Sequence, residues 1–347
     1  AQPLTDYMDR LAAVVRERLD DDVPKPLIGL RVVVDAGNGA GGAFAQFLEN
    51  LGAETEGSQF LEPDGSFPNH APDPSDPAAL ASLSKAVLAA QADLGVLFDA
   101  DCDRAAFVDQ SGREIAGNRL IALISAVLLA ENPGATIVTD SVTSSGLTSF
   151  IAGWGGTHYR FKRGYRNVIE EARRLSEEGI DCPLAIETSG HAAFRDNHYL
   201  DDGMYLATRL ICEAHDRKRF GETLSSLIDD LAEPVESCEI RFKVTDADVQ
   251  QASSDAIELI LSHTLDNPCW RLATDSREGV RILFNLDCGM ENAWFQLRMS
   301  VHDPAMMVLN AESDVPGGVG SMLGELYVLL QDCAGIDLQP LKRALEN

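Results

Sequence analysis

The run Leu94-Gly95-Val96-Leu97-Phe98-Asp99-Ala100-Asp101-Cys102-Asp103-Arg104-Ala105-Ala106-Phe107-Val108-Asp109 decides how the chain reads. Its two apolar stretches, Leu94 to Phe98 and Ala105 to Asp109, have the length and composition of buried strands. Between them Asp99, Asp101 and Asp103 alternate, so a loop curling off the first strand would turn three carboxylates toward one hard cation. Ligands of α/β sheets gather beyond the carboxyl ends of strands, which is where this loop falls. Arg104, directly after it, would steady an anion beside the metal. The same residues also suit a solvated acidic turn. An EF-hand is excluded: counting from Asp99, the sixth position is Arg104 rather than glycine and the twelfth is Gln110 rather than glutamate.

Working outward, the flanking sequence alternates strand and helix patterns. Upstream, Arg31 to Asp35 is a β-branched run, followed by the turn Gly37-Asn38-Gly39-Ala40-Gly41-Gly42 and a helix carrying Phe44, Phe47, Leu48 and Leu51 on one side. A proline-rich loop from Pro63 to Pro77 precedes a helix over Ala78 to Ala90, and another helix begins at Asn118. After Pro133-Gly134 the cycle restarts, with strands at Thr136 to Thr139 and Leu184 to Glu187 and helices at Ser144 to Ile151, Asn167 to Leu175 and Met204 to His215. Beyond Glu233-Pro234 the order changes to strand (Cys238 to Val244), helix (Val249 to His263), strands (Arg281 to Leu286, Trp294 to Met299) and helix (Ser321 to Leu330). The expected fold class is α/β: two similar βαβ-type mixed-sheet domains, largely parallel, over 27–133 and 134–233, then a smaller α+β domain over 234–347. Residues 1–26 read as a helix and linker from a preceding domain. Leu4, Met8, Leu11, Val15 and Leu19 fall on one face of that helix with Thr5 as its cap, and Asp20-Asp21-Asp22, Pro24 and Pro26 form the linker.

Composition narrows the function classes. A formal net charge of −27 over 347 residues opposes binding to a nucleic-acid backbone, which needs clustered Lys and Arg. Lysine is scarce: Lys25, Lys85, Lys162, Lys218, Lys243 and Lys342 are all there are. No apolar run reaches the roughly 20 residues of a bilayer span, so no membrane partner is expected. Seven cysteines without a Cys-x-x-Cys suggest buried thiols in a reducing cytoplasm rather than disulfides or zinc. Oligomeric state is not readable.

Three further segments carry chemistry. Glu187-Thr188-Ser189-Gly190-His191 follows an apolar run, and its carboxylate, hydroxyl and imidazole could grip vicinal sugar hydroxyls; taken alone it is equally an ordinary strand-ending turn. Arg298-Met299-Ser300-Val301-His302-Asp303-Pro304 has the groups of a phosphate cup, although by itself a surface turn is the simpler reading. Tyr159-Arg160-Phe161-Lys162-Arg163-Gly164-Tyr165-Arg166 concentrates cations against an acidic background, which favours a loop facing phosphate or sugar over a solvated face. Gly37-x-Gly39-x-x-Gly42 meets the letter of a dinucleotide fingerprint, but small strand-to-helix turns need glycine for close packing alone.

Taken in order, these motifs resemble the α-D-phosphohexomutases, within them the bacterial phosphomannomutase/phosphoglucomutase group. Val34-Asp35-Ala36-Gly37-Asn38-Gly39-Ala40-Gly41 is similar to the opening of that family's second domain, and Asp99-x-Asp101-x-Asp103-Arg104 to its magnesium loop. Arg160 to Tyr165 and Glu187-x-Ser189-Gly190-His191, followed by Asp201-Asp202-Gly203, resemble its third-domain sugar segments. Arg298 to Pro304 stands where the fourth-domain phosphate loop belongs, though it departs from the commoner Arg-x-Ser-Asn/Gly-Thr-Glu-Pro form. The family's first domain carries a phosphorylated serine on a Ser-His-Asn-Pro-type loop, and no such run exists here, so the chain is expected to lack that domain and to be inactive alone.

The resemblance implies interconversion of hexose 1-phosphate and hexose 6-phosphate through a phosphoserine and a hexose 1,6-bisphosphate, which also serves as activator. It implies Mg2+ on Asp99, Asp101 and Asp103, and catalytic roles for Arg104, Lys162 and His191. The phosphorylated hexose would be bound by Lys162, Arg163, Glu187, Ser189, His191, Arg298, Ser300 and His302. The rival readings are a non-catalytic sugar-phosphate-binding protein and a haloacid-dehalogenase-like phosphatase with Asp99 as nucleophile. A nicotinamide enzyme is the reading most cheaply tested: NAD is expected to leave the melting temperature unchanged, and a clear rise would revive the dinucleotide fingerprint.

Overall fold

The computed structural model describes residues 2–19, 23–286, 292–331 and 333–346. The expected linker residues Asp20-Asp21-Asp22 and the thiol of Cys288 lie outside the described residues. Two compact units form: Ala1–Thr139 with Leu147–His158 and Val168–Leu231, and Asp140–Gly146 with Tyr159–Asn167 and Ala232–Asn347.

The chain enters the first unit through α1 (Gln2–Leu19). The helix is already running at Thr5, so that residue is not its cap. Leu11, Val15 and Leu19 are buried in the unit's main core, whereas Leu4 is exposed. β1 (Val32–Asp35), β2 (Leu94–Phe98), β3 (Ala105–Asp109) and β4 (Glu114–Ile115) make the first sheet in the order β1-β2-β3-β4. β1, β2 and β3 are buried throughout, which is why they read as unbroken apolar runs rather than as alternation. Around them lie α2 (Gly42–Asn50), α3 (Pro77–Ala90) and α4 (Gly117–Glu131). Asp76 caps α3 by accepting the Ala78 N–H, with Pro77 at the first helical position.

β5 (Thr136–Thr139), α5 (Ser145–Gly153), β6 (Thr157–Arg160), α6 (Tyr165–Glu177), β7 (Leu184–Ile186), β8 (Ala192–Phe194) and α7 (Gly203–Arg219) follow, with sheet order β6-β5-β7-β8. The two sheets share a plan. β1 pairs with β2 in parallel and β2 with β3 antiparallel; β5 pairs with β7 in parallel and β7 with β8 antiparallel. The sheets are therefore mixed. Each candidate loop closes an antiparallel hairpin, instead of feeding the helical crossover that the expectation of a largely parallel sheet implied.

The second unit is built on β9 (Glu236–Lys243), α8 (Val249–Asp266), β10 (Trp270–Leu272), β11 (Val280–Phe284), β12 (Ala293–Met299), β13 (Met306–Ser313), α9 (Gly318–Leu330) and α10 (Gln339–Glu346). Its five strands run in the order β10-β11-β12-β13-β9, every neighbour antiparallel. The apolar core includes Phe242, Ile282, Phe295, Leu309, Met322 and Leu326. Of the six described cysteines, Cys102, Cys182 and Cys212 are buried, while Cys238, Cys269 and Cys333 are only partly so.

A charged cluster is buried in this unit. The Arg281 guanidinium lies 3.6 Å from the Trp294 ring centre and donates to the carbonyls of Ser141 (2.9 Å) and Thr143 (3.1 Å). Trp294 in turn donates its indole N–H to Glu312 at 2.9 Å. Burial pushes the Glu312 carboxyl up from an ordinary 4.5 to about 7, against the lowering effect of the Trp294 hydrogen bond and the two nearby arginines, Arg281 and Arg160. With its folded value above its unfolded one, Glu312 binds a proton more tightly when folded. Its contribution is fully present below about pH 4.5 and is lost as pH rises through about 7. Urea unfolding at pH 5 and pH 8 tests this: Glu312→Gln should remove a fall of about 2–3 kcal/mol that the parent shows between those values. An unchanged slope would show that Glu312 is ionised throughout.

Candidate active site

The acidic loop takes its shape from glycines on the neighbouring turn. Gly39 lies so close to Ala100 that an added Cβ would meet its carbonyl oxygen at 2.6 Å, and Ala40 donates its N–H to that oxygen at 2.9 Å. Gly42 is as tightly placed, with a Cβ falling 2.0 Å from the Leu61 carbonyl oxygen. The Gly37 to Gly42 turn is thus a packing device beneath the acidic loop.

On that support the carboxylates of Asp99, Asp101 and Asp103 gather with their ligand oxygens within 4.8 Å of one another. Asp99 is buried and Asp101 exposed, so the group runs from protein to solvent. Burial pushes the Asp99 carboxyl up, opposed by the Arg104 N–H, and burial also raises Asp103, opposed by His191. Three crowded oxygen donors, with burial disfavouring charge on Asp99 and Asp103, fit a hard divalent cation.

Arg104 is held from two sides. Its Nε donates to Asp99 Oδ2 and one Nη donates to Asp73 Oδ1, both at 3.0 Å. Asp73, on the proline-rich loop, carried no signal in the sequence beyond being an acid among prolines.

The second hairpin meets the first backbone to backbone. Ala105 donates its N–H to the Gly190 carbonyl at 3.3 Å, and Arg104 and His191 form a β-bridge. Gly190 adopts φ +96°, and a Cβ there would stand 2.6 Å from the Ala105 carbonyl oxygen. Gly203 donates its N–H to the Cys102 carbonyl at 3.0 Å with equally little room. Glu187, Ser189 and His191 are thereby fixed against the acidic loop. Ser189 donates its hydroxyl to Glu187 at 3.4 Å, and Glu187 is buried. His191 Nδ1 is 2.7 Å from Asp201 Oδ2 and 3.7 Å from Asp103 Oδ2. Burial alone would lower the imidazole's pKa, but the Asp201 hydrogen bond and the charges of Asp201 and Asp103 carry it upward. In the sequence, Asp201 is distinguished only by its place in the Asp201-Asp202-Gly203 run. Next to it, Asp202 accepts the Tyr7 hydroxyl at 2.6 Å and the Tyr205 N–H at 2.9 Å, tying α1 and α7 to the same corner.

The remaining candidates lie in the second unit. Arg298 is 3 % exposed, donates to the Met299 carbonyl, and buries an Nε with no partner among the described residues. Burial lowers its pKa, with Glu278 opposing and Arg163 reinforcing. Ser300 Oγ accepts the N–H groups of His302 and Asp303, each at 3.2 Å, so the β12–β13 turn closes on its own hydroxyl rather than leaving an open nest. An added Cβ on Gly164 would approach Val301 to 3.9 Å, which places the cationic run beside this turn. Arg163 donates its N–H to Glu278 and Lys162 is exposed. Arg160, in contrast, is buried on Asp275 (2.6 Å), Thr143 and the Ser144 carbonyl; it holds protein, not a ligand.

Comparison with known proteins shows the family of the chain. Residues 5–112 match phosphoglucomutase/phosphomannomutase, alpha/beta/alpha domain II, and residues 116–235 match domain III of the same family. The chain is 36% identical over 235 residues to phosphomannomutase/phosphoglucomutase of Pseudomonas aeruginosa, covering 66% of this chain and 48% of that one. It is 32% identical over 304 residues to the phosphomannomutase of Escherichia coli, covering 84% and 60% respectively. The chain thus spans about half the length of the curated relatives it matches. A family protein from Burkholderia thailandensis superposes with TM-score 0.74 at 28% identity, covering 94% of this chain and 65% of that one. The N-acetylphosphoglucosamine mutase of Aspergillus fumigatus, solved with GlcNAc-6P and magnesium, shares the fold at TM-score 0.56 and 14% identity, covering 94% of this chain and 65% of that one.

The Gly190 contact gives a direct test of how the two hairpins are held. Gly190→Ala should destabilise the first unit by about 1–3 kcal/mol in denaturant unfolding. A loss under about 0.5 kcal/mol would mean that the hairpins tolerate separation.

Proposed function

Because the chain belongs to the phosphoglucomutase/phosphomannomutase family, we propose that it supplies the metal, sugar and phosphate sites of a phosphohexomutase. The reaction is the interconversion of hexose 1-phosphate and hexose 6-phosphate through a phosphoserine and a hexose 1,6-bisphosphate. The sequence has no Ser-His-Asn-Pro-type loop, so in this reading the phosphoserine is not one of its residues and the chain alone is inactive. Its limits are taken as 27–133 for metal, 134–233 for sugar and 234–347 for phosphate, and its location as the cytoplasm.

The observation that carries this reading is the backbone joint between the two hairpins, which holds three carboxylates, a guanidinium and the Glu187–Ser189–His191 set in one corner. Asp99, Asp101 and Asp103 would hold Mg2+, which when bound neutralises charge on a phosphoryl group in transfer. Arg104 reaches the same region with its Nη2, which no described residue occupies, and would hold the reacting phosphoryl oxygens. Glu187 and Ser189 would take vicinal sugar hydroxyls. His191, held on Asp201, would orient the sugar and move the proton of the attacking hydroxyl. In the second unit the orphaned Arg298 Nε suits a phosphate oxygen, with the Ser300 hydroxyl, His302, Arg163 and Lys162 completing the site for the non-reacting phosphate.

Asp101→Asn in the native gene product is the deciding variant. Mg2+ affinity should fall by about a hundredfold and turnover of hexose 1-phosphate should collapse, with glucose 6-phosphate binding retained. A variant that keeps both its metal affinity and its turnover would remove the acidic loop from the mechanism. Sugar-phosphate binding by a parent that shows no turnover would favour the non-catalytic binder. Asp99, buried and bonded by Arg104 on both oxygens, is poorly placed as a phosphatase nucleophile.

A further inference from the structure

The proline-rich loop is stapled to the first sheet from below. Asp35, at the end of β1, is 0 % exposed, and its carboxylate meets three groups. These are the Gly37 N–H (2.8 Å), the Gln59 amide (2.7 Å) and, at 3.1 Å from each oxygen, His70 Nε2. The other edge of the His70 ring lies 2.7 Å from the Ala71 carbonyl. Asn69 adds a bond from its amide to Asn38 Oδ1 at 2.7 Å, and Asn38 in turn donates to the Glu62 carbonyl at 2.8 Å. A loop that its composition marks as irregular is therefore fastened to β1 through one edge of an imidazole, whose other edge meets the loop's own backbone, and to the glycine turn through Asn69.

This fastening places Asp73. One of its oxygens, Oδ1, accepts both the Ser75 N–H (2.9 Å) and the Arg104 guanidinium (3.0 Å). A guanidinium is a planar fork with five donors. With Nε on Asp99 and one Nη on Asp73, its plane is fixed by two carboxylates on different loops, and the second Nη is the edge left to a ligand. With Asp99 alone, the fork would turn about that single contact.

We propose that Asp73, carried on the loop that Asp35 and His70 staple to β1, is a positioning residue that fixes the Arg104 guanidinium toward a bound phosphoryl group. The inference rests on the role given to Arg104 above. Asp73 does not touch the ligand; it acts through Arg104, and it stands 31 positions away in sequence.

The test is a double-mutant cycle on Asp73 and Arg104, read as glucose 1,6-bisphosphate affinity in the presence of Mg2+ by calorimetry, with melting temperature measured alongside. Asp73→Asn keeps the Ser75 turn and removes the charge; Asp73→Ala removes both. In the parent each should weaken binding, by about threefold for Asn and up to about tenfold for Ala, because the pair is partly exposed. In the Arg104→Ala background neither should add a further loss. Losses that repeat in full in that background, or no loss in the parent, would overturn the positioning role. If Arg104→Ala alone leaves affinity untouched, the phosphoryl-binding role of Arg104 falls first and this inference with it. A purely structural role for Asp73 would lower the melting temperature and weaken binding equally in both backgrounds.

Discussion

Two backbone hydrogen bonds, Ala105 N–H to Gly190 C=O and Gly203 N–H to Cys102 C=O, set the geometry on which the rest of the first unit's chemistry depends. Each involves a glycine, Gly190 on the second hairpin and Gly203 at the start of α7, where an added Cβ would run into the backbone of the first hairpin. Had either joint been made by side chains, two loops rich in carboxylates would be free to move apart under their own repulsion. Main-chain bonds are short, directional and insensitive to charge. They hold Asp103 and His191 near each other whether or not a cation is present.

The similarity of the two sheets gives this joint its meaning. In each, a central strand pairs in parallel on one side and antiparallel on the other, and the functional loop is the hairpin on the antiparallel side. Equivalent loops of two similar sheets thus face each other, one carrying three carboxylates and the other the Glu187–Ser189–His191 set. The family's domain limits fall between them in sequence, but the apolar core of the first unit is continuous across that limit, from Val32 and Phe98 to Ile186 and Leu210.

The acidic loop, the Glu187 to His191 turn and the succession of strands and helices were legible as elements because their signals are local: an apolar run, a turn residue, an alternation of charges. What escaped is set by distance. Asp73 and Asp201 have no distinguishing neighbours and gain their roles from Arg104 and His191 across the fold. β13 is not legible in the sequence because Met306 to Ser313 mixes buried and half-buried positions, with Asn310 and Glu312 breaking the apolar run. Arg160 misled in the other direction. Its cationic neighbours suggested a ligand-facing loop, but a carboxylate 115 positions away, Asp275, takes the guanidinium into the interior. Composition gives the charge of a segment and leaves open which of its charges will face solvent.

That disposition of arginines bears on how a charged molecule would reach the protein. Arg160, Arg209, Arg281 and Arg298 are all buried, and the remaining cations are outnumbered in a chain with 55 acidic residues and a net charge of −27. A phosphorylated molecule diffusing from afar meets a repulsive field, and attraction begins only within the last Debye length, about 8 Å at physiological ionic strength. Capture is then a short-range event, slowed rather than steered by the long-range field, and added salt should quicken the approach where in a basic protein it would delay it.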